Sequence, residues 1–157
     1  MKKGIARISI TVFICLIVGF LSSIATQSSI DTWYIHLKKP VGTPPNWLFG
    51  PIWTIIYISM GVAAGIVWNR GFYHKWVKVA LYHFGFQLLL NAAWSVLFFG
   101  LRNPLLGLID IVALFIVLLF TFKWFRVVNK NAAYLLIPYI LWILYATYLN
   151  FSIWNLN

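Results

Sequence analysis

Five long stretches of the chain are almost wholly apolar, and short polar or turn-forming segments separate them. A helix crossing the hydrocarbon core of a bilayer needs roughly 20 mainly apolar residues, and the stretches at about 5–25, 45–68, 78–99, 104–122 and 132–154 meet that length. The breaks carry turn chemistry: Gly42-Thr43-Pro44-Pro45-Asn46 before the second stretch, Asn69-Arg70-Gly71 after it, and Gly100 through Pro104 between the third and fourth. Two-residue alternation is not sustained in any stretch, which argues against a membrane β-barrel. No tandem repeat or low-complexity tract interrupts the pattern. It predicts an all-α integral membrane protein, a five-transmembrane-helix bundle forming one domain over 1–157, with residues 26–44 as an outer lid.

Composition strengthens this. Of 157 residues, 62% are hydrophobic and 9% charged, whereas a soluble domain is about a quarter charged; the mean hydropathy is +0.88. Lys and Arg stay on the cytoplasmic side of a membrane. Lys2, Lys3, Arg7, Arg70, Lys75, Lys78, Lys123, Arg126 and Lys130 fall on one side of alternating spans, and Lys38, Lys39 and Arg102 on the other. That split predicts a cytoplasmic N-terminus and an outward C-terminus. The formal charge of +10 is then a topology signal, with the lipid bilayer as its partner and no nucleic acid implied. Lys2-Lys3, an apolar run and Ser23-Ile24-Ala25 also suit a cleavable signal peptide, but the run is long enough to span and is expected to stay as a helix. A single cysteine, Cys15, excludes an intrachain disulfide. Two carboxylates, Asp31 and Asp110, exclude most paired-carboxylate chemistry.

Aromatic residues make up 19% of the chain, nine of them Trp. Trp33, Trp47, Trp68, Trp76, Trp124 and Trp154 sit at or near span ends, where the indole anchors at the membrane–water boundary. Trp53, Trp94 and Trp142 lie inside spans, where an N–H lacks water and needs a partner. At ~1.5 Å per residue Trp53 lies ~12 Å, and Trp94 a little under ~10 Å, below the outer ends of their spans. Helical phase groups His83, Gln87, Asn91, Trp94, Ser95 and Phe98 on one face of span three. It groups Gly50, Trp53, Tyr57, Gly61, Ala64 and Gly65 on span two, and Pro138, Trp142, Tyr145, Ala146 and Leu149 on span five. The amides are either interhelical glue around an aromatic core or the wall of a flat, aromatic-lined pocket.

Asp110 is the one acid inside a span, either a functional carboxylate or one hydrogen-bonded to a neighbouring helix or loop. His83, alone near the inner interface, reads as structural rather than as a haem ligand, and no metal site is expected. Gly61-x-x-x-Gly65 fits close helix packing inside the bundle or between protomers. The first loop carries Asp31, Trp33, Tyr34, His36, Lys38 and Lys39, and its lysines suit an acidic ligand or lipid phosphate.

Asp31-Thr32-Trp33-Tyr34, Lys39-Pro40 and Pro44-Pro45-Asn46-Trp47-Leu48-Phe49-Gly50-Pro51-Ile52-Trp53-Thr54 resemble the translocator protein family, also called tryptophan-rich sensory proteins. The resemblance continues through Tyr57, Met60-Gly61, Ala64 and Val67-Trp68, then Gln87 to Ser95 and Phe98-Phe99-Gly100. Asp110, Pro138 to Trp142 and Ala146 to Asn150 complete it.

The resemblance implies a five-helix bundle, commonly a homodimer, with a pocket beneath the first loop. It implies binding of porphyrins, protoporphyrin IX above all, and of isoquinoline-carboxamide and benzodiazepine-type compounds, in a porphyrin-sensing role. Porphyrin is a ligand here, and no cofactor is required. The pocket residues it implies are Tyr34, Pro44, Phe49, Trp53, Tyr57, Asn91, Trp94, Phe98, Trp142, Ala146 and Leu149. It also associates Trp53 and Trp142 with light-dependent porphyrin breakdown, an enzymatic alternative alongside transport. Against transport, no ion-coupling cluster, nucleotide-binding loop or pair of broken helices is legible. Eukaryotic members end helix five in a sterol-recognition pattern with a basic residue; here Lys130 is the last basic residue, so sterol binding is unsupported and a bacterial cell membrane is expected.

Overall fold

The structure, a computed structural model, describes residues 2–157. Its helices are α1 (Lys2–Ile30), α2 (Asn46–Asn69), α3 (Lys75–Ser95, continued by a π-helical turn over Val96–Gly100), α4 (Pro104–Val128), α5 (Lys130–Tyr134) and α6 (Ile137–Leu156). Five stretches are long and apolar enough to cross a membrane, α5 and α6 together forming the fifth. Phe13, Phe20, Leu89 and Ile109 are all more than half exposed, and apolar surface of that kind around a bundle belongs against acyl chains.

The helices outrun the apolar stretches at several ends. α1 continues through Thr26, Gln27 and Ser28 to Ile30, so the lid shrinks to the segment between Asp31 and Pro45, with a 3-10 turn over Tyr34–His36. Within the extension the Ser28 hydroxyl donates to the Ala25 carbonyl at 2.7 Å, so this polar side chain is satisfied inside the helix, as Ser22 and Ser23 are at 2.8 and 2.6 Å by the Val18 and Phe20 carbonyls. α3 starts at Lys75 and α4 runs to Val128 because Lys, Arg and Trp flanks stay helical beyond the hydrocarbon. Hydropathy measures the span rather than the helix. The fifth span is broken, with Pro138 in the first turn of α6, where its missing N–H leaves no helical bond unmade. Asn103 caps α4, accepting from the amides of Leu105 and Leu106 at 3.1 Å, and Pro104 occupies the first turn.

Around the ring, α1 packs on α2, α2 on α5, α4 on α5, α6 and α3, and α3 with its π turn back on α1. The α1–α2 seam is closest at the glycine pair. A Cβ on Gly61 would lie 2.5 Å from the Val12 Cα, and one on Gly65 2.5 Å from the Ile8 Cα. Thr11 spans the seam, donating to the Gly61 carbonyl at 2.7 Å. The pair thus serves packing inside this protomer. Higher up, α1 and α2 part, and a cavity opens between them.

Candidate functional site

At the lid end lies a partly open cavity of about 340 Å³, walled by α1, α2, α3, α6 and the 3-10 turn. Its upper α2 wall is Asn46, Phe49, Gly50, Trp53, Thr54 and Tyr57. The α2 face therefore divides by height, since Gly61 and Gly65 below are spent on α1. Gly19 of α1 admits the Tyr57 ring, whose Cε2 a Cβ there would approach to 2.5 Å.

Two groups of rings face the space. Trp53 and Trp142 meet edge to face, centroids 6.3 Å apart at 89°, with Phe49 6.2 Å from Trp142. Trp94 and Phe98 stack at 5.2 Å and 20°, and Tyr34 lies 6.3 Å from Phe98 and 6.5 Å from Phe49. Two of the three mid-span indoles contrast in their N–H. That of Trp94 donates to Asn150 Oδ1 at 3.0 Å, and Asn150 is held by the Pro104 carbonyl at 2.7 Å. That of Trp142 is buried with no partner.

The polar stripe on α3 does both things the sequence allowed. Asn91 and Ser95 line the cavity, while Gln87 lies wholly buried beneath it. Tyr57 donates to Asn91 Oδ1 at 2.5 Å, Asn91 Nδ2 to the Tyr139 hydroxyl at 2.7 Å, and Tyr139 to Gln87 Oε1 at 2.9 Å. This chain joins α2, α3 and α6 under the cavity floor, and in so dry a setting each link matters. Tyr139→Phe removes the hydroxyl shared by the two amides and should cost about 1–3 kcal/mol. A lowered thermal midpoint with unchanged helical circular dichroism is the expected result; an unchanged midpoint would show the chain to be dispensable.

Of the residues the sequence proposed, Tyr34, Phe49, Trp53, Tyr57, Asn91, Trp94, Phe98, Trp142, Ala146 and Leu149 all line the cavity. Pro44 does not; it stands in the approach to α2, and Asn46 takes the wall position at that end. Sequence reasoning missed the α1 wall of Ser22, Ser23, Thr26 and Gln27, with Leu16, Gly19 and Phe20. The signal was present as polar residues one turn apart, Ser22 with Thr26 and Ser23 with Gln27, but half of it fell in what was expected to be loop. Lys38 and Lys39 are outside the wall. Lys39 lies over the Tyr34 ring at 4.6 Å and donates to the Ile35 and Leu37 carbonyls at 3.4 and 3.3 Å. Partial desolvation lowers its pKa. Burial, with a smaller push from Tyr145, raises the Tyr34 phenol to about 12, so it enters the site as a neutral group. Lys38 is tied by its backbone to the Asn157 side chain, and Tyr145 donates to the Gly42 carbonyl, so α6 holds the lid at two points.

Asp110 is buried on α4 away from the cavity wall, its Oδ2 without a partner; of its two readings, the hydrogen bond to a neighbouring helix or loop is not made among the described residues. His83 is engaged structurally, its Nδ1 2.8 Å from the Val79 carbonyl and its ring beside Phe120 and Trp124. Among the described residues no three His, Cys, Asp or Glu side chains gather where they could hold a metal ion.

The model of the TspO/MBR family matches residues 11–155. The chain belongs to the TspO/MBR family. It is 43% identical over 157 residues to Tryptophan-rich protein TspO of Chlorobaculum tepidum, covering 100% of this chain and 99% of that protein. It is 45% identical over 155 residues to the protein of the same name from Archaeoglobus fulgidus, covering 98% and 99%. To Translocator protein of Bos taurus it is 36% identical over 140 residues, covering 88% and 83%. TspO/MBR membership and the aromatic cavity together make this a membrane ligand-binding protein.

Proposed function

We propose that the cavity binds a flat aromatic ligand of the tetrapyrrole class, protoporphyrin IX-like, and smaller isoquinoline-carboxamide or benzodiazepine-type plates, and that the protein acts in porphyrin sensing. The observation that carries this is the ring-lined cavity, with the edge-to-face Trp53–Trp142 pair and the stacked Trp94–Phe98 pair among its lining. Rings from α2, α3, α6 and the lid offer faces and edges to a planar guest, about 0.5–1.5 kcal/mol per well-placed aromatic pair beyond burial.

Size supports a division of labour. Ligand pockets run to about 300–1,000 Å³, and about 340 Å³ is at the small end. A two-ring amide fits inside, whereas a macrocycle fills the interior with one edge and leaves another at the opening. The hydroxyl and amide groups of Ser23, Thr26, Gln27 and Asn46, with Lys39 at the mouth, suit the carboxylate edge of a porphyrin. Titration of protoporphyrin IX against intrinsic Trp fluorescence tests this. Saturable quenching absent from an unrelated five-span protein is expected; equal quenching in both would end the reading.

A second reading is favoured by the 6.3 Å separation of Trp53 and Trp142. A bound porphyrin excited by light converts dioxygen to reactive species, and Trp53 and Trp142 place two oxidisable indoles in the wall beside it. Trp53→Phe should then slow loss of the porphyrin absorption band under illumination at least threefold with the ligand still bound. Undiminished loss would exclude a role for that indole. The basic residues favour placing the α1 N-terminus and the α4–α5 turn on the cytoplasmic side, with the lid and the C-terminus outside, in what we read as a bacterial cell membrane.

A further inference from the structure

The end of the bundle opposite the lid carries nine Lys and Arg residues and no carboxylate, since Asp31 is in the lid and Asp110 is buried towards the lid end of α4. Aromatic rings answer several of these cations: Arg7 lies 5.5 Å from the Trp68 ring, Lys75 5.0 Å from Trp76, Lys78 5.9 Å from Phe72 and Lys123 5.1 Å from Trp124. Among the described residues, Arg126 and Lys130 have no ring, carboxylate or hydrogen-bond partner for their side chains. Yet Lys123, Arg126 and Lys130 converge on one groove with Phe122 and Val127, where Asn129 in extended conformation separates α4 from α5.

The helix phase supplies a second observation. Positions 112, 116, 119, 123, 126 and 130 alternate in steps of four and three, so the first five follow one face of α4. The upper three are Val112, Ile116 and Leu119, exposed at 43, 50 and 44%; the lower three are the exposed basic residues. From Val112 to Lys123 the rise is ~16 Å, about one leaflet of a hydrocarbon core ~30 Å thick. An apolar strip one leaflet long, ending in clustered positive charge, has the layout of an anionic lipid with the signs reversed. The α4 C-terminus opposes an anion with about half a unit of negative charge, which three full positive charges outweigh.

We propose that this groove is a defined binding site for the headgroup of an anionic phospholipid, its phosphate held by Lys123, Arg126 and Lys130 and one acyl chain lying along Leu119, Ile116 and Val112. The site is separate from the cavity and independent of its ligand. A soluble anion would use the charges but leave the apolar strip uncovered, and a diffuse surface field would use all nine basic residues alike.

Native mass spectrometry of the full chain, released from nanodiscs of mixed phosphatidylglycerol and phosphatidylcholine, tests the proposal. The parent should retain one phosphatidylglycerol. Lys123→Gln/Arg126→Gln/Lys130→Gln should reduce that retention at least tenfold, and the equally charge-depleted Arg70→Gln/Lys75→Gln/Lys78→Gln less than twofold. Equal loss in both triples overturns a defined site in favour of a diffuse field. Displacement of the lipid by millimolar inorganic phosphate, or retention of phosphatidylcholine in its place, overturns an anionic lipid as the occupant. Should the first triple not fold, Arg126→Gln alone must reduce retention threefold or more, and no reduction overturns the proposal.

Discussion

Replacing Trp53 and Trp142 together with alanine should weaken protoporphyrin IX binding on the order of a hundred- to a thousandfold while the bundle stays folded. Each indole removed forfeits part of the burial a guest gains, about 1.5–3 kcal/mol for a fully covered large side chain, plus about 0.5–1.5 kcal/mol of ring-on-ring preference. Taking about 1.5–2 kcal/mol per indole gives about 3–4 kcal/mol for the pair, and each 1.4 kcal/mol is about tenfold in affinity. Both rings are only partly buried, so alanine enlarges an existing cavity rather than hollowing the core. The underlying floor of Tyr57, Asn91, Tyr139 and Gln87 keeps its hydrogen bonds. Trp142→Phe tests ring size: it keeps an aromatic face but gives up part of the buried area, so a smaller loss, about three- to tenfold, is expected. Fluorescence quenching depends on the indoles themselves, so affinity is read from the porphyrin absorption shift, with circular dichroism as the fold control. A double variant binding within threefold of the parent would remove the cavity from consideration as the porphyrin site.

The unequal legibility of this site in the sequence has a physical basis. Trp53, Asn91, Trp94 and Trp142 stood out because a polar or indole group in hydrocarbon is costly and its helical phase is fixed. Phase put each on one face of its own helix, which left a packed aromatic core and a shared pocket both open. The α1 wall did not stand out because Ser and Thr hydroxyls bond their own helix carbonyls, so Ser22 and Ser23 are tolerated anywhere in a span. Thr26 and Gln27 looked like loop because a residue count set by hydrocarbon thickness stops before the helix does. Pro44 followed from resemblance alone, and the extended backbone of Pro45 starts α2 with Asn46, rather than Pro44, at the cavity. Asp110 invited a partner that the neighbouring helices do not supply. Single-chain patterning reports which face of a helix is special, not which neighbour meets it.

The glycine pair is where that ambiguity has the largest energetic consequence. Gly61→Ala/Gly65→Ala should lower the thermal midpoint on the order of 10–20 °C. Each new Cβ would stand 2.5 Å from a backbone Cα of α1, Val12 and Ile8 respectively, and backbone cannot rotate aside as a side-chain tip can. α1 must therefore withdraw along the whole lower seam, which also stretches the Thr11 bond to the Gly61 carbonyl. Overpacking costs about 1–3 kcal/mol per site and the bond about 1 kcal/mol, with about 2–4 °C per kcal/mol for a chain of this length. Gly85→Ala is the matched control: a Cβ there meets nothing within 4 Å, so replacing a mid-helix glycine should be neutral or stabilising. The same pair of glycines at a protomer interface would respond differently, with the double variant changing oligomeric mass in light scattering while the midpoint stays put. Because α1 also carries Ser23 and Thr26 into the cavity wall, its withdrawal should weaken ligand binding in the variant that remains folded. A seam one to two turns below the cavity thereby sets the width of the cavity itself.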